Sequence, residues 1–369
     1  MFLFGVDVRI DAKNSGSKPS KWCSAYQRLV TALWILYFVY MMLSVIIVDL
    51  PSVTRISEVL PKKLPDVLAF TIWCVLKIRR RKIFYLLRKI CCLSNNFNVK
   101  HHPLWLPFTP VIVLGIPLIC WPLSIWPFEE HECQILMSYI SLNFSYVPEG
   151  QNCKVFSILA LLQVLASRPL KHAFTILYTF VCCLMRKILI FHSKSGEKIL
   201  SNQFPILDHK YIKRYLVEYD SIIEVLKYFE RIVSFPVLLV QIYDCMDIFY
   251  GIVNLDPIKE LSKNILLEKY FIVIVYTSSV SLISFLILSS AATRVHQASK
   301  GAKDVHERMF KQILVSEQGI GREHLALMFV SYNNPAFTLS ASGFFYFTKP
   351  MILAAVGSII TFSLLVMQF

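Results

Sequence analysis

The carboxyl-terminal stretch of the chain carries no charge and is long enough to cross a membrane. No acidic or basic residue occurs from Met351 to Phe369, and an α-helix of that length extends for about 28 Å, close to the thickness of the hydrocarbon core of a bilayer. Hydrophobic residues make up 56% of the whole chain, and the mean hydropathy is +0.55. We therefore predict an all-α polytopic membrane protein rather than a soluble one.

Further apolar segments precede the terminal one. The second is short between Pro65 and Lys77 and is predicted to extend upstream. The fourth has an alternative placement over residues 155–166, because that stretch is apolar too. The seven predicted spans cover residues 29–48, 65–78, 104–127, 170–190, 232–254, 270–292 and 346–369. They divide the chain into a segment 1–28, spans one to four over 29–190 with a loop at 128–169, a segment 191–231, spans five and six over 232–292, a segment 293–345 and the last span, 346–369.

Basic residues are unevenly distributed among these segments, and their distribution predicts the orientation of the chain. The net charge is +14, and Lys and Arg number five, eight, nine and six in or beside the odd-numbered non-spanning segments, against three, two and three in the even-numbered ones. Because basic loops stay in the cytoplasm, the amino terminus is predicted to be cytoplasmic and the carboxyl terminus extracellular, the inverse of G-protein-coupled receptors. The basic excess is thus assigned to topology and membrane lipid, and no nucleic acid partner is expected.

The predicted extracellular loop, residues 128–169, has features that suit that side of the membrane. It is acidic, unlike the predicted cytoplasmic segments, and it contains a sequon at Asn143, which is a glycosylation site if the loop is lumenal. Cys133 and Cys153 lie in the same loop, where they either form a disulfide in an oxidising compartment or remain two free thiols. We therefore expect a glycoprotein with one candidate disulfide.

The two long cytoplasmic segments, 191–231 and 293–345, show a helical pattern. Apolar residues recur in both at intervals of three and four, which places them on one face of a helix. These residues include Tyr211, Tyr215, Ile222, Leu226 and Phe229 in the first segment and Val305, Met309, Ile313 and Leu314 in the second. The neighbouring spans are therefore predicted to continue as helices into the cytoplasm.

Span five is the richest in polar side chains, and intramembrane polar groups commonly mark functional sites. Gln241, Asp244 and Asp247 recur every third residue, so they share a face of the helix in the outer half of the bilayer, and Tyr243 lies beside them. A carboxylate buried there needs a cation, a donor or water. Two interpretations stay open: a structural pair with Lys171 or with backbone donors, and a water-filled ligand pocket open to the outside.

Aromatic side chains in other spans could form the walls of such a pocket. Each has an alternative role as an interfacial residue or as part of the packed core. The candidates are Trp73 in span two, Trp121 in span three, Tyr178 in span four and Tyr276 in span six. Together with the polar face of span five they make up the predicted ligand-binding set.

Small and hydroxylated residues form a stripe along the terminal span. The spacing of threes and fours suits either close packing between helices or the wall of a pore. The stripe consists of Ala354, Gly357, Ser358, Thr361, Leu364 or Leu365, and Gln368.

The same helix resembles the signature of insect gustatory receptors. From Thr361 to Phe369 the chain has a Thr and an aromatic residue, a short run of apolar or small residues and a Gln-Phe pair, similar to the pattern in that family's last transmembrane helix. Residues 336–337 and 343–345 also resemble the family's approach to this helix. The sequence departs from the pattern at Phe362, where the family usually has Tyr, so the corresponding hydroxyl is lost.

This resemblance implies a ligand-gated, non-selective cation channel in the plasma membrane of sensory neurons. Four subunits, identical or mixed with related ones, would surround one pore and be held together by the cytoplasmic helices. Gln368 and Phe369 would form the outer constriction, with Leu365 and Thr361 below it. The residues after Thr361 lack the acidic variant of sugar-type members, so the expected tastant is a bitter or other plant-derived small molecule, with a sugar or polyol as the alternative.

No catalytic, metal or cofactor site is predicted. His131 and Glu132 lack the second His of a zinc protease helix, no glycine-rich phosphate loop is present, and the other histidines lack ligand spacing. Two further functional classes stay open. A secondary transporter would need an internal repeat, which we do not find, and an inverted seven-span receptor would signal through a partner without carrying current.

Overall fold

Long helices dominate the part of the chain that the computed structural model describes, residues 21–49, 56–97, 154–201, 209–254, 266–315 and 335–367. The helices are α1 (Lys21–Ser44), which continues as a π-helical turn over Val45–Asp49, α2 (Ile56–Asn96), α3 (Lys154–Ser201), α4 (His209–Asn254), α5 (Leu266–Val315) and α6 (Lys349–Met367). Two short strands, β1 (Ser340–Ala341) and β2 (Phe345–Tyr346), form an antiparallel ribbon. The structure is thus mostly helical, as predicted, with one ribbon that the sequence analysis did not anticipate.

Four of the described helices are much longer than a bilayer core is thick. α2, α3, α4 and α5 contain 41, 48, 46 and 50 residues, which corresponds to about 60–75 Å each at 1.5 Å per residue. The helical pattern that we found in residues 191–231 and 293–315 therefore belongs largely to continuations of membrane-span helices.

Among the described residues, four helices are long and apolar enough to cross a membrane, by length and composition. They are Ser24–Ile47, Arg168–Ser201, Arg214–Val253 and Ile274–Gln312, and Lys349–Leu365 is a shorter apolar helix. They contain most or all of predicted spans one, four, five, six and seven. Several helices of this length and composition in one chain are typical of a multi-pass membrane protein.

Two predicted spans are not among those four helices. Span two, 65–78, lies inside α2, where Asp66, Lys77 and the basic run 79–82 interrupt the apolar stretch. Span three, 104–127, lies outside the described residues. The number of seven spans, the orientation of the chain and the division into segments therefore stay predictions.

The core lies where α2, α3, α4 and α5 pack together. Large apolar side chains fill it, among them Ile72 of α2, Phe174 of α3 and Phe229 of α4. α5 contributes mainly small buried residues such as Ala292 and Ala302. Small residues let the backbones of neighbouring helices approach closely, which explains how α5 packs along α3.

The ribbon immediately precedes α6 in the chain. Its turn is left-handed at two consecutive residues, with φ of 54° at Ser342 and 78° at Gly343, a conformation that favours Gly. The backbone N–H of Phe344 donates to the carbonyl of Ala341 at 3.0 Å and closes the turn. Because the ribbon occupies residues 340–346, α6 begins at Lys349 rather than at the predicted position 346.

Candidate functional site

A buried ion-pair network joins α3, α4 and α5. Lys171 of α3 is 2% exposed, and its Nζ lies 2.8 Å from Oδ1 of Asp244 and 3.2 Å from Oδ2 of Asp247, both on α4. The ammonium also donates a hydrogen bond to Oγ of Ser281 on α5, at 2.9 Å. One lysine therefore links three helices through charge-assisted contacts.

Hydroxyl groups of α3 and α5 extend this network. Ser281 Oγ donates to Oδ2 of Asp247 at 2.7 Å, and one turn further along α5 Ser284 Oγ lies 3.2 Å from Thr175 Oγ1. Thr175 also donates to the carbonyl of Lys171, one turn back on its own helix, at 3.1 Å. These hydroxyls supply donors to a region where polar groups would otherwise be desolvated without a partner.

Among the groups in direct contact, the network has two acidic side chains and one basic one, and Arg168 of α3 and Asp66 of α2 are further charged groups close to it. Two carboxylates, Asp244 and Asp247, face the single ammonium of Lys171, which also lies 4.1 Å from the ring centroid of Tyr243. Asp244 is completely buried, whereas the Asp247 side chain is 12% exposed. An incoming cationic or hydrogen-bond-donating group would therefore reach Asp247 before Asp244.

Of the two interpretations that the sequence left open for span five, the pair with Lys171 is present in the structure. Burying a lysine between two aspartates is costly unless every partner stays in place, so this network holds the helices in one arrangement. The pair does not by itself assign a ligand to the site, and ligand contact by the two aspartates stays a proposal.

Gln241 lies one helical turn before Asp244 on α4. Its side chain is buried, and neither the amide oxygen nor the amide nitrogen has a hydrogen-bond partner among the described residues. An unsatisfied amide in a membrane interior is a candidate contact for water or a ligand. Gln241 therefore remains in the candidate site.

The predicted aromatic walls lie in different places. Tyr178 is buried and stacks on Phe229, with ring centroids 5.4 Å apart, two turns along α3 from Lys171. Trp73 is buried against Trp34 of α1, with ring centroids 5.4 Å apart. Both rings thus pack in the core. Tyr276 is half-buried on α5, about one and a half turns before Ser281.

Several predicted site residues lie outside the described residues. These are Trp121, the Asn143 sequon, Cys133 and Cys153, and the proposed pore residues Gln368 and Phe369. The cysteines whose side chains are described, including the adjacent pairs at 91–92 and 182–183, are free thiols.

The small-residue stripe of α6 is exposed in the single chain. Thr361 and Leu365, the two described members of the predicted pore, are both exposed, and no atom lies within 4 Å of where a Cβ on Gly357 would be. The opposite face packs on the rest of the chain, because Ser363 is fully buried and donates to the carbonyl of Ile359 at 2.7 Å. The stripe therefore has no covering element in the described part of its own chain.

A second polar contact connects the amino-terminal half of α4 to the ribbon. Oε1 of Glu230 accepts hydrogen bonds from the backbone N–H of Ser340 at 3.1 Å and from its hydroxyl at 2.5 Å. The sequence analysis missed this contact, as it missed Thr175, Ser281 and Ser284. Ser281 and Ser284 had a detectable signal, a polar i, i+3 pair in an apolar span.

The fold is similar to that of a solved insect receptor. The structure of the insect olfactory receptor OR5 from Machilis hrabei matches with a TM-score of 0.67 and 12% sequence identity, over 100% of this chain and 96% of the receptor. The same receptor in complex with eugenol matches with a TM-score of 0.66 and 12% identity, over 100% of this chain and 95% of the receptor. At this identity the likeness shows that the two share a fold.

No protein-family model and no curated protein sequence matches this chain. Within the described ranges, no group of three or more His, Cys, Asp or Glu side chains is placed to hold a metal ion.

Proposed function

We propose that this chain is a subunit of a ligand-gated, non-selective cation channel of the insect chemoreceptor type, and that it acts as a taste receptor. The observation that carries the proposal is the full-length similarity in fold to an insect olfactory receptor. The resemblance of residues 361–369 to the gustatory signature supports the taste assignment. The plasma membrane of sensory neurons is the corresponding location.

The exposed stripe of α6 supports a pore at the centre of several subunits. Ala354, Gly357, Ser358, Thr361 and Leu365 are all exposed in the single chain, although small and hydroxylated residues in a membrane helix usually face other helices or water. Four copies, identical or mixed with related subunits, would place these stripes around one axis. Gln368 and Phe369 would then form the outer constriction of the pore.

The candidate site favours a ligand that carries an amine. Asp247 belongs to a network with two carboxylates and one ammonium, and it is the more exposed of the two acids. A cationic amine would gain a charge-assisted hydrogen bond with Asp247, whereas the hydroxyls of a sugar or polyol would form only weaker hydrogen bonds with it. A bitter, plant-derived amine is therefore the proposed ligand class, and Gln241 its neutral hydrogen-bonding partner.

Ligand binding would open the pore only through tighter binding to the open state. In the proposed mechanism α4 transmits the effect of ligand binding to α6. Asp247 lies near the carboxyl-terminal end of α4, and Glu230, near the middle of the same helix, binds the ribbon that precedes α6.

Whole-cell current from this chain expressed alone is the decisive measurement. Surface-labelled cells would be exposed in turn to alkaloid amines, their uncharged analogues, sugars and polyols. We expect a cation current evoked by the amines. Confirmed surface expression without current, both from the chain alone and after co-expression with related subunits, would contradict the channel function. A current evoked by sugars alone would contradict the ligand class.

A further inference from the structure

A proline interrupts the hydrogen bonding of α4 near the predicted membrane boundary. Pro236 lies inside the helix, and proline has no backbone N–H with which to reach the carbonyl four residues earlier. That carbonyl belongs to Ile232, which is buried and is also the first residue of predicted span five. A buried carbonyl without a donor is unfavourable, most of all near the hydrocarbon core.

A side chain from another helix supplies the missing donor. Arg79 of α2 donates through Nη1 to the carbonyl of Ile232 at 2.5 Å, and the same nitrogen lies 3.2 Å from the carbonyl of Arg231. By helix geometry the Arg231 carbonyl already has a partner in the N–H of residue 235, so only Ile232 depends on the arginine. The guanidinium therefore meets the carbonyl that the proline leaves free.

We propose that Arg79 is a positioning residue that caps the carbonyl freed by Pro236 and thereby fixes the middle of α4 against α2. This role differs from the one that a basic residue after a membrane span ordinarily has, which is to mark the cytoplasmic side or contact lipid headgroups. A lipid-facing arginine would not need its guanidinium directed at a neighbouring helix.

The location of this cap gives it a consequence for the rest of the molecule. The cytoplasmic half of α4 carries Glu230, which holds the ribbon before α6, and the membrane half carries Asp244 and Asp247. Helices bend most readily where a proline removes a hydrogen bond. Arg79 therefore controls how rigidly the two halves of α4 are joined.

The test is a double-mutant cycle on the purified full chain, read by hydrogen–deuterium exchange over residues 228–240. In Pro236→Ala the new N–H satisfies the Ile232 carbonyl within the helix, so Arg79 loses its special partner. We expect Arg79→Met to accelerate exchange by about tenfold in the Pro236 background, the effect of losing one hydrogen bond from a charged donor. In the Pro236→Ala background the acceleration should be about twofold or less.

Arg81→Met is the matched control, because Arg81 is an exposed arginine on the same helix. Equal acceleration by Arg79→Met and Arg81→Met, or equal effects of Arg79→Met in both Pro236 backgrounds, would overturn the proposal.

If Arg79→Met alone fails to fold, the folded yield of the double variant decides the question. Rescue by Pro236→Ala supports the cap, and a yield no higher than that of Arg79→Met refutes it. Neither readout involves ligand or current, so the result is independent of the proposed channel function.

Discussion

Lys171 is the residue that holds the buried network together. We expect Lys171→Met to lower the stability of the folded chain by about 3–5 kcal/mol, because it leaves Asp244 and Asp247 buried without their cation. The measurement is the thermal midpoint of the purified protein, followed by its size-exclusion profile. Adding Asp244→Asn should recover part of the loss, since it removes one of the uncompensated charges.

Lys349→Met provides the control for this experiment, because Lys349 is exposed at the start of α6. An unchanged midpoint in Lys171→Met would show that the network contributes nothing to the fold.

The two aspartates differ in exposure, and we expect them to differ in function. Asp247→Asn should raise the half-maximal concentration of an amine ligand about tenfold, the effect of one charge-assisted hydrogen bond, with surface expression close to normal. Asp244→Asn, at the fully buried position, should instead reduce folded yield and shift the dose response less. Dose–response currents from the two variants in parallel give the comparison, and a shift in Asp247→Asn no larger than that in Asp244→Asn would contradict the assignment of Asp247 as the ligand contact.

At the same scale, the sequence predicted which polar side chains share a face but not all of their partners. The i, i+3 spacing placed Asp244 and Asp247 together, and Lys171 was a foreseeable partner as a charged residue in an apolar span. Ser281 and Thr175 were missed, because the register between α3, α4 and α5 depends on packing that no local pattern encodes.

Between elements, the closest described glycine contact joins α4 to α5. A Cβ on Gly251 would lie 1.7 Å from Oγ and 2.6 Å from Cβ of Ser278, whose hydroxyl donates to the Asp247 carbonyl. We expect Gly251→Ala to separate the two helices and to destabilise the protein by about 1–3 kcal/mol. Thermal unfolding of the purified variant measures this cost.

Gly301→Ala, in the same helix as Ser278, is the opposite case. No atom lies within 4 Å of a Cβ built there, so the variant should be neutral or more stable by up to about 1 kcal/mol, because Ala favours a helix over Gly. If Gly251→Ala were as stable as Gly301→Ala, the close contact between α4 and α5 would be wrong.

The elements themselves were predictable to different degrees. The helical period over residues 211–229 and 305–314 was regular, and these residues do lie in α4 and α5. The ribbon at residues 340–346 was not predicted, because strands of two residues are too short to show an alternating pattern. Only the turn at Gly343 gave a local signal.

For the whole molecule, the question is what covers α6. The helix rests on its own chain through the face that contains Ser363, and the face that contains Thr361 is exposed. Two residues along a helix correspond to a rotation of about 200°, so these positions lie on nearly opposite sides. The sequence left two interpretations of this stripe open, close packing between helices and the wall of a pore. Both interpretations place the exposed face of α6 against or beside neighbouring copies of the chain.

Cysteine cross-linking between copies distinguishes these two interpretations. If four α6 helices surround one pore, Thr361→Cys should form dimers between subunits under mild oxidation, visible on a non-reducing gel and absent from the parent chain with its native cysteines. Ser363→Cys, which replaces a side chain buried against its own chain, should not. Two outcomes would place α6 away from the pore axis. One is equal cross-linking at both positions, and the other is no cross-linking at Thr361→Cys in protein whose mass shows four subunits. Cross-linked dimers at Thr361→Cys combined with a ligand-evoked current that oxidation alters would place Thr361 in the conducting path.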